Sequence, residues 1–213
     1  MKLKKAMLAF VCALALVVGS VMGTMAYLTS EDTVTNTFTV GNVVITLDEA
    51  PTNLNGEVTS DKDEDRVQAN EYKLMPGHEY AKDPTVWVDA DSEDAYLFVE
   101  VVNGIEEIEA EGNTTIAKQM EDNGWIHVTG NVYVYDEKVS AGAEIPVFAN
   151  FTIDGDVDND TLADYATEKG EDGEVLENAT KLINITAYAI QADGFEDDFD
   201  AGNYTTIWGA LND

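Results

Sequence analysis

The stretch AYLFVEVV, residues 95–102, carries the clearest strand pattern in the chain and sets the fold class. Its side chains alternate between two faces with a period of two, which is the repeat of a β-strand. One face presents Leu97, Val99 and Val101, and the other presents Tyr96, Phe98 and Glu100. The stretch therefore predicts a β-strand, the strongest in the chain.

The same alternation recurs on both sides of this strand. It appears in NVVITLDE (residues 42–49), around Trp87, in residues 147–153 and in LINITAYAI (residues 182–190). A further stretch, WIHVTGNVYVYD (residues 125–136), is typical of a hairpin with Gly130 and Asn131 at its turn, because both residues tolerate the positive φ that tight turns require. About seven strands distributed along a chain in this way are typical of a sandwich or barrel.

Helical patterns are short and lie between strands or at the end of the chain. They are NTTIAKQMEDNG (residues 113–124), DNDTLADYATEKG (residues 158–170) and NYTTIWGALND (residues 203–213). Asn113 is placed to cap the first, and Asp158 or Asn159 the second. Acidic, glycine-containing loops are predicted at residues 53–70 and 168–178. Together these patterns predict an all-β fold: a jelly-roll-like antiparallel β-sandwich with a few short peripheral helices.

The N-terminal residues have the order of a secretory signal. Lys2, Lys4 and Lys5 precede an uncharged, largely apolar stretch that ends with small residues at Thr24 and Ala26. We therefore expect cleavage between Ala26 and Tyr27, which divides the chain into a signal peptide, residues 1–26, and a single β-sandwich domain, residues 27–213. The stretch is also just long enough to compete as a membrane helix, and an uncleaved signal would leave a monomeric acidic surface-binding module at the membrane.

Charge and cysteine content narrow the class of protein. The chain has 11 basic and 42 acidic residues, a net charge of -31, and one cysteine. Removal of residues 1–26 takes away three lysines and Cys12, so the 187 remaining residues carry 8 basic and 42 acidic side chains, a net charge of -34, and no thiol. Such a chain cannot be stabilised by disulfides and must rely on a core. Its charge argues against nucleic acid as a partner.

Three segments resemble one known family in the same order along the chain. They are GTMAYLTSEDTVTNTFTVGNVVITLDE (residues 23–49), LMPGHEYAKDPTVWVDADSEDAYLFVEV (residues 74–101) and ITAYAIQADGF (residues 185–195). They are similar to the N-terminus, the central strand-pair region and the last core strand of the TasA and camelysin family. Members of this family are secreted Gram-positive proteins processed by a SipW-type signal peptidase.

The resemblance implies a secreted structural protein of the extracellular matrix or cell surface. TasA-like members have a jelly-roll fold and form biofilm-matrix fibres, in which the N-terminal segment of one subunit completes a sheet of the next. The implied partners are copies of the same chain or related matrix subunits, besides the signal peptidase. Residues 27–38 would be the donor segment, with anchors Tyr27, Leu28, Val34, Phe38 and Val40. The alternative is that this segment folds back as the first strand of its own domain.

Camelysin-like members have been classed as metallopeptidases, so a zinc site is the competing expectation. His78-Glu79 is the only His-Glu pair, and it lacks a second histidine four positions after the first. The other histidine, His127, belongs to a predicted strand. The pattern therefore predicts neither catalytic residues nor a zinc site.

A calcium loop is suggested by carboxylates at every second position of DGDVDNDTLADY. These are Asp154, Asp156, Asp158 and Asp160. The EF-hand pattern requires Gly at its sixth position and Glu at its twelfth, where this chain has Asn159 and Tyr165. The simpler interpretation is an acidic turn that caps the following helix, and no cofactor is required.

Overall fold

Antiparallel strands form most of the regular structure in the computed structural model, which describes residues 42–165 and 183–211. The strands are β1 (Ile45–Asp48), β2 (Glu79–Ala81), β3 (Thr85–Val88), β4 (Ala95–Asn103), β5 (Trp125–Thr129), β6 (Val132–Tyr135), β7 (Glu144–Pro146), β8 (Asn150–Thr152) and β9 (Ile183–Gln191). The helices are α1 (Ile116–Asp122), α2 (Asn159–Ala163), α3 (Glu196–Asp200) and α4 (Tyr204–Ala210). The predicted all-β class with short helices is confirmed.

The strands form three antiparallel sheets. Their orders are β1-β3-β7, β2-β8 and β5-β6-β4-β9. Every strand pairing among the described residues is antiparallel. In the four-stranded sheet β4 is a central strand, paired with β6 on one side and along its whole length with β9 on the other. The stretch that sets the fold class therefore also anchors the largest sheet.

Two hydrophobic cores lie on opposite faces of β4. Leu97 and Val99 point into the first, where they join residues of all three sheets and of α1. Tyr96 and Phe98 point into the second, which is covered by Phe199 of α3 and by α4. Both faces of β4 are buried because one meets other strands and the other meets the C-terminal helices.

The predicted β5–β6 hairpin is present and turns at Gly130, whose φ is +53°. By contrast, the prediction of one alternating strand over residues 147–153 is wrong. Regular pairing stops at Pro146 and resumes at Asn150, and Val147 and Phe148 are both fully buried. Adjacent residues of a regular strand point to opposite faces, so burial of two neighbours in one core requires a break in the strand.

Two helix predictions also need correction. The side chain that caps α1 belongs to Thr115, which accepts a hydrogen bond from the backbone N–H of Lys118, and not to Asn113. The acidic stretch that forms α3 was not predicted to be helical. Its first-turn carboxylates lie where a helix N-terminus favours negative charge. The predicted cap of α2 by Asp158 is confirmed, and residues 203–213 contain α4 as expected.

Gly56 closes a small turn against the core, and we expect Gly56→Ala to destabilise the protein by about 2–4 kcal/mol. Its φ is +73°, and an added Cβ would lie 2.7 Å from Cα of Tyr80. Gly142→Ala is the matched control, because Gly142 has a φ of +76° with no neighbour within 4 Å of an added Cβ. Gly142→Ala should therefore lower the free energy of unfolding by only about 1 kcal/mol, the cost of placing alanine at a positive φ. Urea denaturation of both variants measures the difference, and equal losses would contradict the steric account.

Candidate functional site

β9 is the longest strand at a sheet edge among the described residues. It lies at the end of the four-stranded sheet and runs for nine residues, each opposite a residue of β4. No other strand of residues 42–165 and 183–211 pairs with its far side. The backbone of a strand at a sheet edge can bind a further strand.

The core-facing side of β9 is incompletely covered. Ile185 lies opposite Val101 and Ala187 opposite Val99, in register with residues of β4 that are 6% and 0% exposed. The β9 residues themselves are only half-buried, although they pack against the first core. These half-buried positions are Ile183, Ile185, Ala187 and Ala189. These apolar side chains therefore remain partly accessible at the edge of the sheet.

β1 presents a second edge of the same kind. It ends the three-stranded sheet, pairs only with β3 among the described strands, and lies beside β9 without being bonded to it. Val43, Ile45 and Leu47 face the first core and are half-buried. We call these two neighbouring edges together the open seam, which comprises Val43, Ile45 and Leu47 on β1 and its N-terminal side and Ile183, Ile185, Ala187 and Ala189 on β9.

The open seam has the chemistry of a strand-binding site. An extended segment laid along it could bond to the free edge of β9 through its main chain. Every second side chain of that segment would meet the half-buried apolar residues, as strand geometry requires. The seam contains no acid, base or nucleophile among the residues that line it, so binding is the activity it can support.

The chain enters β1 through a fixed anchor. Val44 donates its backbone N–H to Oγ of Ser92 at 3.0 Å and accepts the backbone N–H of Asp89 at 2.9 Å. Two residues before Val44, the carbonyl of Asn42 accepts the backbone N–H of Glu93 at 3.0 Å. Oγ of Ser92 also donates to the Val44 carbonyl at 3.1 Å, so the predicted donor segment joins the domain at a point held by four hydrogen bonds.

A group of charged residues holds β1 to the loop that precedes β2. The Arg66 guanidinium donates to Oδ1 of Asp48 at 2.5 Å and to Oδ2 of Asp83 at 3.0 Å. It also donates to the carbonyl oxygens of the same two residues. Its carbon lies 5.5 Å from the centre of the Trp87 ring. Arg66 could not be predicted as a structural residue, because no spacing pattern in the sequence links it to its partners. The only feature that marks it is the scarcity of basic residues in so acidic a chain.

The two histidines do not meet a shared ligand set. Nε2 of His78 contacts the carbonyl of Asn55 at 2.8 Å, and Nε2 of His127 contacts the carbonyl of Gly130 at 2.8 Å. His78 precedes β2 and His127 lies in β5, as the strand prediction indicated. Among the described residues there is no group of three or more His, Cys, Asp or Glu side chains placed to hold a metal ion.

The four carboxylates suggested for calcium lie between β8 and the first turn of α2. Asp154 accepts the backbone N–H of Asp156 at 2.7 Å, and Asp158 accepts that of Thr161 at 2.7 Å. The hydrogen bond from Thr161 lowers the pKa of the Asp158 carboxyl. Asp154 and Asp158 thus shape the turn and cap the helix. Asp160 lies within the first turn of the helix.

The remaining predicted site residues lie outside the described part of the chain. They are Ala26 and Tyr27 at the expected cleavage site and Tyr27, Leu28, Val34, Phe38 and Val40 of the donor segment. The signal peptide, residues 1–26, and the loop predicted at residues 168–178 lie there too. Within the described ranges, no helix is long and apolar enough to cross a bilayer.

Comparison of the chain with family models, with curated proteins and with solved structures gave no match.

Proposed function

We propose that this chain is a secreted structural protein, a subunit or accessory component of extracellular biofilm-matrix fibres. In this proposal residues 27–40 of one copy bind as an added strand in the open seam of the next copy. The single observation that carries the proposal is the half-buried apolar lining of β1 and β9, two neighbouring strands that end their sheets within residues 42–165 and 183–211. A monomer that kept this lining uncovered would lose the stabilisation that burial of apolar side chains provides.

The pattern of the donor segment suits the open seam. In YLTSEDTVTNTFTV four of the five anchors, Leu28, Val34, Phe38 and Val40, fall on even-numbered positions, whereas Tyr27 does not, and threonine occupies most odd positions from 29 onward. In an extended chain one face would therefore meet the seam with apolar side chains, most densely over residues 34–40. The other face would present β-branched hydroxyls to solvent. The segment has no proline, so no backbone N–H is missing on the side that would pair with β9.

The finer fold that we propose is a jelly-roll-like β-sandwich. The first core supports it, because that core gathers buried side chains from the three-stranded sheet, from β2 and β8, and from one face of β4. In a sandwich two sheets meet through their inner faces, and an added strand at the β9 edge would extend the four-stranded sheet without disturbing that core.

The extracellular matrix as the site of action is supported by composition and by the family resemblance. The order of charged, apolar and small residues in the N-terminal stretch favours export. A net charge of -34 after cleavage opposes contact between copies at low salt, so assembly should be faster where ions screen it. The ordered match of three segments to TasA-like proteins supports a fibre component rather than a monomeric module.

Removal of residues 27–38 is expected to abolish fibre formation while leaving the fold intact. The comparison is between the mature chain beginning at Tyr27 and a chain beginning at Thr39, both examined by negative-stain electron microscopy at physiological salt. Far-UV circular dichroism checks that the shortened chain keeps its β-structure. Equal fibre formation by both chains would rule out the donor mechanism. Monomers alone from the mature chain at all concentrations would instead indicate that the segment occupies the seam of its own domain.

A further inference from the structure

A buried lysine, a glutamate and an asparagine form a connected group beside the end of β1. Lys82 is 8% exposed and Glu49 is 3% exposed. Nζ of Lys82 donates to Oε2 of Glu49 at 2.5 Å, and Nδ2 of Asn70 donates to Oε1 of the same carboxylate at 2.9 Å. One carboxylate therefore binds an amine on one oxygen and a carboxamide on the other.

The carboxamide of Asn70 is held at both ends. Its Oδ1 accepts the backbone N–H of Thr52 at 2.8 Å, and its Nδ2 also donates to the carbonyl of Ala50 at 2.8 Å. A fixed N–H at a carbonyl oxygen stabilises the negative charge that develops when a nucleophile adds to the carbonyl carbon. The amide nitrogen, which would leave in such a reaction, already contacts a carboxylate that can supply a proton.

The surroundings of this group are aromatic and poorly hydrated. The Tyr72 ring meets Tyr80 and Phe151 edge to face, at centroid distances of 5.6 and 5.2 Å. Burial raises the pKa of the Tyr72 phenol, and the negative charge of Glu49 raises it further. In such surroundings both members of a Lys–Glu pair lose the hydration that stabilises their charges. Nζ of Lys82 already contacts the carboxylate that would accept its proton.

We propose that Lys82 and Asn70 are joined by an intramolecular isopeptide bond, formed with Glu49 as the general base and acid. This inference is independent of the fibre proposal, since it concerns the covalent structure of the domain itself. It assigns a modification site to three residues that neither the charge pattern nor the family resemblance singled out.

The reaction balances without an external reagent. Glu49 takes a proton from the Lys82 ammonium, and the lone pair of the neutral Nζ adds to Cγ of Asn70, which places negative charge on Oδ1. The carboxyl group then delivers a proton to Nδ2 and accepts one from Nζ. Collapse of the intermediate breaks the Cγ–Nδ2 bond and releases ammonia, which leaves as ammonium with the proton held by Glu49. The products are a Lys82–Asn70 amide, one ammonium ion and the original Glu49 carboxylate.

The bond would serve a chain that has no disulfide after export. Its one cysteine, Cys12, lies in the expected signal peptide. A Lys82–Asn70 amide would close the loop between those residues and tie it to the segment that follows β2. Covalent closure of a loop restricts the unfolded chain, which is the model by which disulfides stabilise small secreted domains.

The test is the mass of the purified mature protein. We expect a mass about 17 Da below that of the sequence, for the loss of one ammonia. Trypsin should release a branched species in which residues 67–73 are joined to residues 74–118, with no cleavage at Lys82. Lys82→Arg and Glu49→Gln should each restore the full sequence mass. Lys73→Arg, which changes an exposed lysine nearby, should keep the loss.

Three results would overturn the proposal. The first is the full sequence mass in the wild-type protein, which needs no variant to fold. The second is a loss of ammonia that digestion maps to Asn55-Gly56, Asn103-Gly104 or Asn123-Gly124, where succinimide formation gives the same mass. The third is a loss of about 18 Da with Lys82 joined to Glu49, which would make Glu49 the acceptor and not the catalyst.

Discussion

Arg66→Met is expected to lower the free energy of unfolding by about 2–3 kcal/mol, because the carboxylates of Asp48 and Asp83, which are 19% and 38% exposed, lose their charged partner. The Arg66 side chain is 12% exposed and neutralises both Asp48 and Asp83. Asp48 would remain bonded to Nε1 of Trp87 at 2.7 Å, but no cation would face it. Urea denaturation followed by tryptophan fluorescence measures the loss.

Lys138→Met is the matched control for this prediction. Lys138 pairs with Asp94 at 3.3 Å, and both side chains are nearly half exposed, at 46% and 47%. Exposed pairs contribute about 0–1 kcal/mol, so this variant should stay within that range. The loss of unfolding free energy for Arg66→Lys should fall between those of Arg66→Met and Lys138→Met. An ammonium cannot reproduce the forked contacts that the guanidinium makes with two carboxylates and two carbonyls. A loss below about 1 kcal/mol for Arg66→Met would show that the arginine is not needed to hold β1 to the loop before β2.

The double variant Val34→Asp, Phe38→Asp is expected to stop fibre assembly at concentrations where the mature wild-type chain assembles. In the proposed complex both side chains enter the open seam, where an unpaired carboxylate cannot be hydrated. A cost of roughly 4 kcal/mol or more would raise the concentration required for assembly by at least about 1000-fold. Light scattering and electron microscopy across a concentration series measure the concentration at which assembly begins.

The control places the same two charges on the opposite face of the donor segment. Thr33→Asp, Thr37→Asp gives the same net charge and nearly the same composition, but its carboxylates would face solvent. It should assemble with a threshold close to that of the wild type once salt screens the added charge. If both double variants fail equally, charge and not fit to the seam governs assembly, and the assignment of the even-numbered face is wrong.

The parts of the fold that could be predicted are those with a strong local pattern. β4, β9 and the β5–β6 hairpin each have apolar residues at alternate positions, and the hairpin has a glycine where positive φ is required. The break at Phe148 could not be predicted, because alternation in the sequence is compatible with an unbroken strand. The strand is interrupted because the side chains of Val147, Phe148 and Phe151 all pack in the first core.

The candidate site was predictable on one side only. The donor segment has a sequence signature, since its apolar residues share one face and proline is absent. The proposed acceptor strand, β9, has no such signature in the sequence, because Ile185 and Ala187 have the same alternation as residues of any core strand. Their partial exposure depends on the position of β9 at the end of its sheet. Strand order is set by contacts between residues far apart in the chain, which local patterns do not record.

The amino-acid sequence by itself determined the all-β class, the strongest strand, the acidic composition with a single cysteine, and the residues suited to be a donor strand. These features depend on periodicity and composition, which are read directly from the sequence. Only the tertiary structure decided which edges are left open, and only it brought Arg66 to Asp48 and Asp83 and Lys82 to Glu49 and Asn70. The physical reason is that burial and charge pairing are properties of neighbours in space. Lys82 and Glu49, for example, lie 33 residues apart in the chain.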